Sequence, residues 1–276
     1  DNTPRGRVGE HADMPRPNNP RMLWIDALAQ QGLAAHCIAR LAGLIGAAGL
    51  AAEWEAKFAA IRETINCNYW SEPDGFYFDI DADDGHFYKV MTPASFWPLV
   101  SGMADPGRAR RMFDAVRAPE LLGGPVPLVT LARNDPDFDA ATGMYWRGSV
   151  WLPTAYMAIK GFEQYGAYAL AHDCALKIVD QQYRTFRDFE PHTVWECYHP
   201  TLARPANTCD DDGGLVRKDF CGWSALGPIA LLIENVIGVH GVNAFTNTVE
   251  WALPEVSGAV GVRNLRFGDV VTDLVA

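Results

Sequence analysis

The chain has 276 residues, 49% of them hydrophobic, enough to bury a large core as one domain or as one domain with a small appendage. A formal net charge of -11 repels phosphate backbones and argues against a nucleic-acid partner. No apolar run reaches the ~18 residues of a membrane span, so a soluble chain with no membrane partner is expected.

The first residue is Asp1, with no Met and no secretory signal ahead of it, so a processed chain or a fragment is expected. Cytoplasm and periplasm both stay open as compartments. Residues 1–20 are rich in Pro, Asn, Arg and Gly and read as an irregular loop. A helix is predicted from about Met22 to Gly46. Leu23, Ala27, Leu28, Ala35, Ile38, Leu41 and Leu44 make it apolar on nearly every side, which predicts burial. The next helix, about 50–68, carries Trp54, Phe58, Ile61 and Ile65 on one stripe and a wet face opposite. Residues 71–90 alternate apolar and polar around Asp-Gly turns and predict a hairpin.

Short helices are predicted over 93–104 and 107–117, followed by a long loop from 118 to 145. Loops of that length in compact domains tend to be functional. Helices follow over 149–165 and 167–187, the second after a break at Gly166. A second long loop spans 188–218. The stretch from Phe220 to Ile237 is almost wholly apolar and predicts a buried inner helix. The tail, 241–276, has strand-like runs and predicts a small β patch packed on the helices. Alternation of buried and amphipathic helices points to a toroid more than to a four-helix bundle.

The six cysteines include no C-x-x-C pair, which gives no support for a zinc or redox site. They are expected as buried free thiols, with a Cys209–Cys221 disulfide the alternative. The acidic runs 79–85 and 209–214 read as solvated turns. The first lacks the closing Glu of a calcium loop, so neither a metal nor a cofactor is expected.

Three segments carry a resemblance. Residues 1–7 are Asp-Asn-Thr-Pro-Arg-Gly-Arg. Residues 144–166 run Met-Tyr-Trp-Arg-Gly-Ser-Val-Trp and on to Tyr-Gly. Residues 194–205 contain Glu196-Cys-Tyr198-His-Pro, followed at 220–226 by Phe-Cys-Gly-Trp-Ser-Ala-Leu. In that order they resemble the catalytic toroid of glycoside hydrolase family 63, which includes mannosyl-oligosaccharide glucosidases and bacterial α-glucosidase-like enzymes. Family 37 trehalases are related to it.

The resemblance implies an all-α (α/α)6 toroid of the six-hairpin glycosidase type, incomplete at its N-terminus, with a β-hairpin insertion and a C-terminal β appendage. Residues 1–240 would form the catalytic part and 241–276 the appendage. About half the helices of a complete toroid are found, so the missing N-terminal segment of the same enzyme is an expected partner. The resemblance further implies an inverting, exo-acting α-glycosidase, most simply an α-glucosidase. An oligosaccharide or small glycoside is its expected substrate. Trehalase is one alternative; an inactive carbohydrate-binding remnant is another.

Glycoside hydrolysis needs two carboxyl groups, one on each side of the anomeric carbon. An inverting pair stands ~6.5–9.5 Å apart to admit a water. The resemblance assigns Asp1 as the acid and Glu196 as the base. Arg147 at a helix start can donate several hydrogen bonds to sugar hydroxyls or orient a carboxylate. Trp97, Trp146, Trp151 and Tyr198 are candidate platforms for sugar faces, although Trp151 also lies on an apolar stripe and reads more simply as core. Trp223 opens a predicted buried helix and fits either role, and Gly148 belongs to the same motif as Trp146. Arg5 matches the arginine of the acid loop. Asp26, inside an apolar helix, needs a partner, either a substrate hydroxyl or an internal arginine.

Overall fold

The computed structural model describes residues 2–5, 19–210, 213–252 and 258–276. Helices dominate, and two pairs of them are built the same way. β1 (Met22–Leu23) leads into α1 (Ile25–Leu44), and α2 (Ala48–Asn68) follows a tight turn. The turn closes with Gly46 N–H on Gly43 and Ala47 N–H on Ala42, the paired bonds of a Schellman stop. Where α1 meets α2 it buries only small residues (Ala29, Gly32, Ala35, Ala39 and Ala42). Space is tight there: a Cβ on Gly32 would sit 3.1 Å from the Ile61 side chain of α2 and 1.6 Å from the Met103 methyl.

The sequence predicts burial on every side of α1, but only this stripe is covered. Leu41 is 62% exposed and Leu44 84% exposed. On α2 the stripe behaves as predicted: Phe58 and Ile65 are buried, and Trp54 and Ile61 pack against the core.

The segment read as one hairpin folds as two. β2 (Trp70–Ser71) pairs with β3 (Phe76–Tyr77), and β4 (Asp79–Asp81) pairs with β5 (Phe87–Tyr88). β1 joins the far side of β4, making a three-stranded antiparallel sheet. A 3-10 turn (Pro93–Phe96) opens into the single-turn α3 (Trp97–Val100). α4 (Pro106–Arg117) starts on Asp105, whose carboxylate accepts from the Gly107 and Arg108 amides, with Pro106 at the first helical position.

The loop 118–145 is a core element in its own right, with Leu122, Val126, Leu128, Val129 and Leu131 fully buried. α5 (Leu152–Gln164) and α6 (Tyr168–Asp188) form the second pair, closed by the same bonds as the first, Gly166 to Glu163 and Ala167 to Phe162. Single β-bridges Val129–Val150, Val150–Tyr198 and Tyr198–Pro205 then lace the two long loops across the start of α5.

The apolar stretch after Phe220 is not the regular buried helix expected. It opens with a 3-10 turn (Trp223–Leu226) and continues as a π-helix, Gly227–Val236. Its burial does not follow apolarity alone: Ile229 is 59% exposed, while Leu231 is fully buried and Asn235 is 2% exposed. Beside Leu231 the inward side carries polar groups because α5 presents polar partners to it. Tyr156 Oη and Lys160 Nζ donate to Glu234, and Asn235 donates to Glu163.

Two hairpins follow, β6 (Val239–Asn243) with β7 (Thr248–Trp251), and β8 (Gly261–Phe267) with β9 (Val270–Val275). The first is tied to the helices by Trp251 Nε1 donating to the Ile237 carbonyl. The six cysteines are free. Cys174 and Cys197 are buried as expected, but Cys37, Cys67 and Cys221 are exposed. No helix among the described residues is long and apolar enough to cross a membrane.

Candidate active site

Glu196 lies in the second long loop, two residues before the Val150–Tyr198 bridge, and is only 6% exposed. Its Oε1 accepts the Tyr145 hydroxyl at 3.1 Å, and its Oε2 faces the Arg217 amide at 3.4 Å. Its backbone is fixed by Glu196 N–H on Arg217 and by the Ser224 hydroxyl on its carbonyl. Burial, then the Glu196 charge and the hydrogen bond to it, push the Tyr145 phenol above its ordinary range, so it stays a donor.

Tyr145 opens the turn Tyr145–Arg147. Around it stands a wall of rings. Trp151 meets Tyr145 edge-on at 4.7 Å, Trp146 stacks on Trp151 at 4.6 Å, and Trp223 lies 5.5 Å from Trp151. Trp223 is 40% exposed and offers a face to solvent.

The segment that follows Asp1 docks on the same turn. Asp1 itself lies outside the described residues. Asn2, next to it, donates to the Met144 carbonyl at 2.9 Å and accepts the Trp146 amide at 3.0 Å. The Arg147 Nε donates to the Asn2 carbonyl at 3.1 Å, so the motif arginine holds this segment; an Asp137 oxygen stands 3.7 Å from its other end. Thr3, Arg5, Trp24, Thr92, Thr130 and Trp146 then line a cavity of about 310 Å³. Two larger hollows, of about 810 and 490 Å³, lie away from these residues, along α2 and α4 and beside α6.

Arg5 is the hub of a buried ion network. Nε and Nη2 bind Asp79 at 2.9 and 2.8 Å, and Nη1 and Nη2 bind Asp26 at 3.0 Å each. Asp79 also accepts the Ile25 amide and so caps α1. Burial alone would lower the Arg5 pKa, but Asp79 and Asp26 more than offset it and raise it overall. Of the two partners open to Asp26, the internal arginine is the one present. Among the described residues, four of the five Arg5 N–H groups are engaged by these two carboxylates.

The run 79–85 is therefore not a solvated turn throughout. Asp79 and Asp81 are 4% and 2% exposed. Asp81 is held well below the usual carboxylate range by the Tyr88 hydroxyl and by Arg21. Oxygens of Asp81 and Asp84 approach a ring nitrogen of His86 within 4.8 Å, but Arg21 and Tyr88 already engage Asp81.

Tyr198, expected as a sugar platform, is 2% exposed, and its hydroxyl accepts the Trp195 amide. It braces the Glu196 loop and presents no free face. Trp97 packs against the core and is not among the residues lining the cavity. Gly148 sits at φ +132, and a Cβ there would lie 2.7 Å from the Phe138 ring. Its amide donates to Thr130, whose hydroxyl bonds the Tyr145 carbonyl. Gly148→Ala is expected to cost about 1–3 kcal/mol, the range for a residue forced into a sparsely populated backbone region. Urea unfolding of the complete protein checks this, and a loss below about 0.5 kcal/mol, the scatter of an ordinary surface substitution, would show that the turn relaxes freely.

Two residues escape sequence reasoning. Asp79 is hidden in an apparent turn, although the apolar Phe78 and Ile80 on both sides are a signal of burial. Tyr145 stands in the motif, but nothing in the sequence marks its aim at Glu196.

Comparisons with known proteins bear on the family and the fold. The family model for the mannosylglycerate hydrolase MGH1-like glycoside hydrolase domain matches residues 8–211. An uncharacterized protein of Borreliella burgdorferi is 29% identical over 265 residues, covering 94% of this chain and 55% of the relative. The crystal structure of a GH63 mannosylglycerate hydrolase from Thermus thermophilus, in complex with Tris, superposes with TM-score 0.59 at 26% identity, covering 76% of this chain and 45% of that one. The neutral trehalase of Saccharomyces cerevisiae shares the fold, with TM-score 0.62 at 20% identity over 78% of this chain and 38% of the trehalase. The chain thus spans about half the length of the relatives it matches. With the family model matching residues 8–211, past Glu196, the chain belongs to the MGH1-like glycoside hydrolase family.

Proposed function

We propose that the complete protein is an inverting, exo-acting α-glycosidase in which Glu196 is the general base and Asp1 the general acid. The observation that carries this reading is the Glu196 carboxylate itself, buried yet unpaired with any cation among the described residues, beside a wall of tryptophans. A carboxylate so placed can take a proton from water, and the rings can cover the apolar face of a sugar. Asn2 holds the Asp1 segment on the same turn that touches Glu196 through Tyr145.

The proposed architecture is part of an (α/α)6 toroid, with residues 241–276 as an appendage. Exposed Leu41 and Leu44 on α1 and Ile229 on the π-helix are surfaces that further helices would cover, which supports an N-terminal partner segment of the same enzyme.

The substrate is a small α-glycoside with a terminal glucose or mannose. The Thermus relatives, one of them crystallised with Tris and D-glycerate, favour glycosides of glycerate. Trehalose is the second candidate, on fold alone. The test is to assay the complete protein against mannosylglycerate, glucosylglycerate, trehalose and an α-glucosyl oligosaccharide. Turnover of a glycerate glycoside at least about tenfold above trehalose is expected, a difference of roughly 1.4 kcal/mol in the barrier. No hydrolysis of any of them would reject the proposal.

A further inference from the structure

We infer that Tyr145 is a positioning residue that sets the orientation of Glu196 relative to the acid-bearing segment. The inference rests on the base assignment above. Three observations carry it. The Tyr145 hydroxyl is the nearest hydrogen-bond donor to the Glu196 carboxylate among the described residues, at 3.1 Å against 3.4 Å for the Arg217 amide. Tyr145 is a non-glycine residue at φ +49, a left-handed conformation that an aromatic side chain rarely adopts and that surrounding contacts must enforce.

Those contacts are present. Its amide donates to Asn207, its carbonyl accepts from Thr130 and from the Ser149 hydroxyl, and its ring is wedged edge-on against Trp151. Finally, the two residues flanking Tyr145 hold Asn2: the Met144 carbonyl accepts from it and the Trp146 amide donates to it. One strained turn therefore touches the base on one side and the neighbour of the acid on the other. Inversion depends on a fixed gap of ~6.5–9.5 Å between the two carboxyl groups, so a turn that holds both Glu196 and Asn2 is where that gap would be set.

A donor on a carboxylate favours its charged form. Removing it leaves Glu196 easier to protonate and freer to rotate. The experiment uses the complete protein, the substrate it turns over fastest, and full pH profiles of kcat and kcat/KM. Tyr145→Phe keeps the ring and its packing. It is expected to lower kcat about tenfold and to raise the acid limb of kcat/KM by about one pH unit, with KM little changed, as for loss of one hydrogen bond to a charged group. Replacing Tyr145 by 3-fluorotyrosine strengthens the donor without changing the packing, and moves the acid limb the other way. Should the phenylalanine variant fail to fold, the fluorinated one decides alone.

A structural role would change melting temperature but not shift the limb in opposite directions. Unchanged limbs in the variants that fold, with Glu196→Gln still inactive, would overturn the positioning role and leave the base assignment standing. Activity of Glu196→Gln within a few-fold of the parent would overturn both.

Discussion

Glu196→Gln is expected to lower kcat of the complete protein by about 10²–10⁴-fold, equivalent to roughly 3–5 kcal/mol of barrier, while the protein folds as before. Gln keeps the length and shape of the side chain but cannot accept the proton of the attacking water. Its neighbours tolerate it. The amide oxygen can face the Arg217 amide, and the amide nitrogen can donate to the Tyr145 phenol oxygen, which accepts as well as donates. The backbone bonds to Arg217 and Ser224 do not involve the side chain. Steady-state kinetics with a thermal melt on the same sample checks both halves. Activity within a few-fold of the parent removes Glu196 from the mechanism, whereas a collapsed melt would make it structural.

Arg5→Met is expected to destabilise the protein by about 3–5 kcal/mol, the usual cost of leaving a buried charge without its partner. Asp79 is the larger contributor, because its side chain is 4% exposed against 23% for Asp26. Met fills much the same space, so a cavity is not the cause. The diagnostic is rescue: adding Asp79→Asn and Asp26→Asn to Arg5→Met removes the stranded charges, while the side-chain amide oxygen introduced by Asp79→Asn can still accept the Ile25 amide. Recovery of at least half of the loss in a urea titration is expected. Equal instability of the triple variant would locate the effect in packing of Arg5 on the Trp24 ring, 4.7 Å away. Because Thr3 and Arg5 border the cavity, the folded fraction of Arg5→Met should also show reduced kcat.

Much of this layout is legible in the sequence, and the failures have physical reasons. Periodicity locates α2, α4, α5 and α6 because each buries one stripe. It misjudges α1, where composition suggests burial all round; the contact is made by alanines and a glycine, so Leu41 and Leu44 stay outside. The stretch 220–237 is apolar, but apolarity does not specify a hydrogen-bond register, and here Asn235 is buried with Leu231 while Glu234 and Asn235 bond to α5. The turn at Tyr145 gathers Asn2, Trp146, Arg147 and, through the Tyr145 hydroxyl, Glu196. Tyr198 belongs to the same motif, but its position on a β-bridge turns it inward. Asp79 and Asp81 sit in strand β4, which lies between β1 and β5 and is buried at all three residues. The left-handed turn at Tyr145 is set by tertiary contacts and leaves no trace in residue type.

The central claim is that Glu196 activates water on the face opposite the leaving group. The most direct test is proton NMR of the first-formed sugar when the complete protein hydrolyses an α-glycoside, recorded before mutarotation. The account predicts that the β-anomer appears first and then decays to the equilibrium mixture. First appearance of the α-anomer would contradict it, since retention requires a covalent intermediate and a carboxyl pair only ~5–5.5 Å apart.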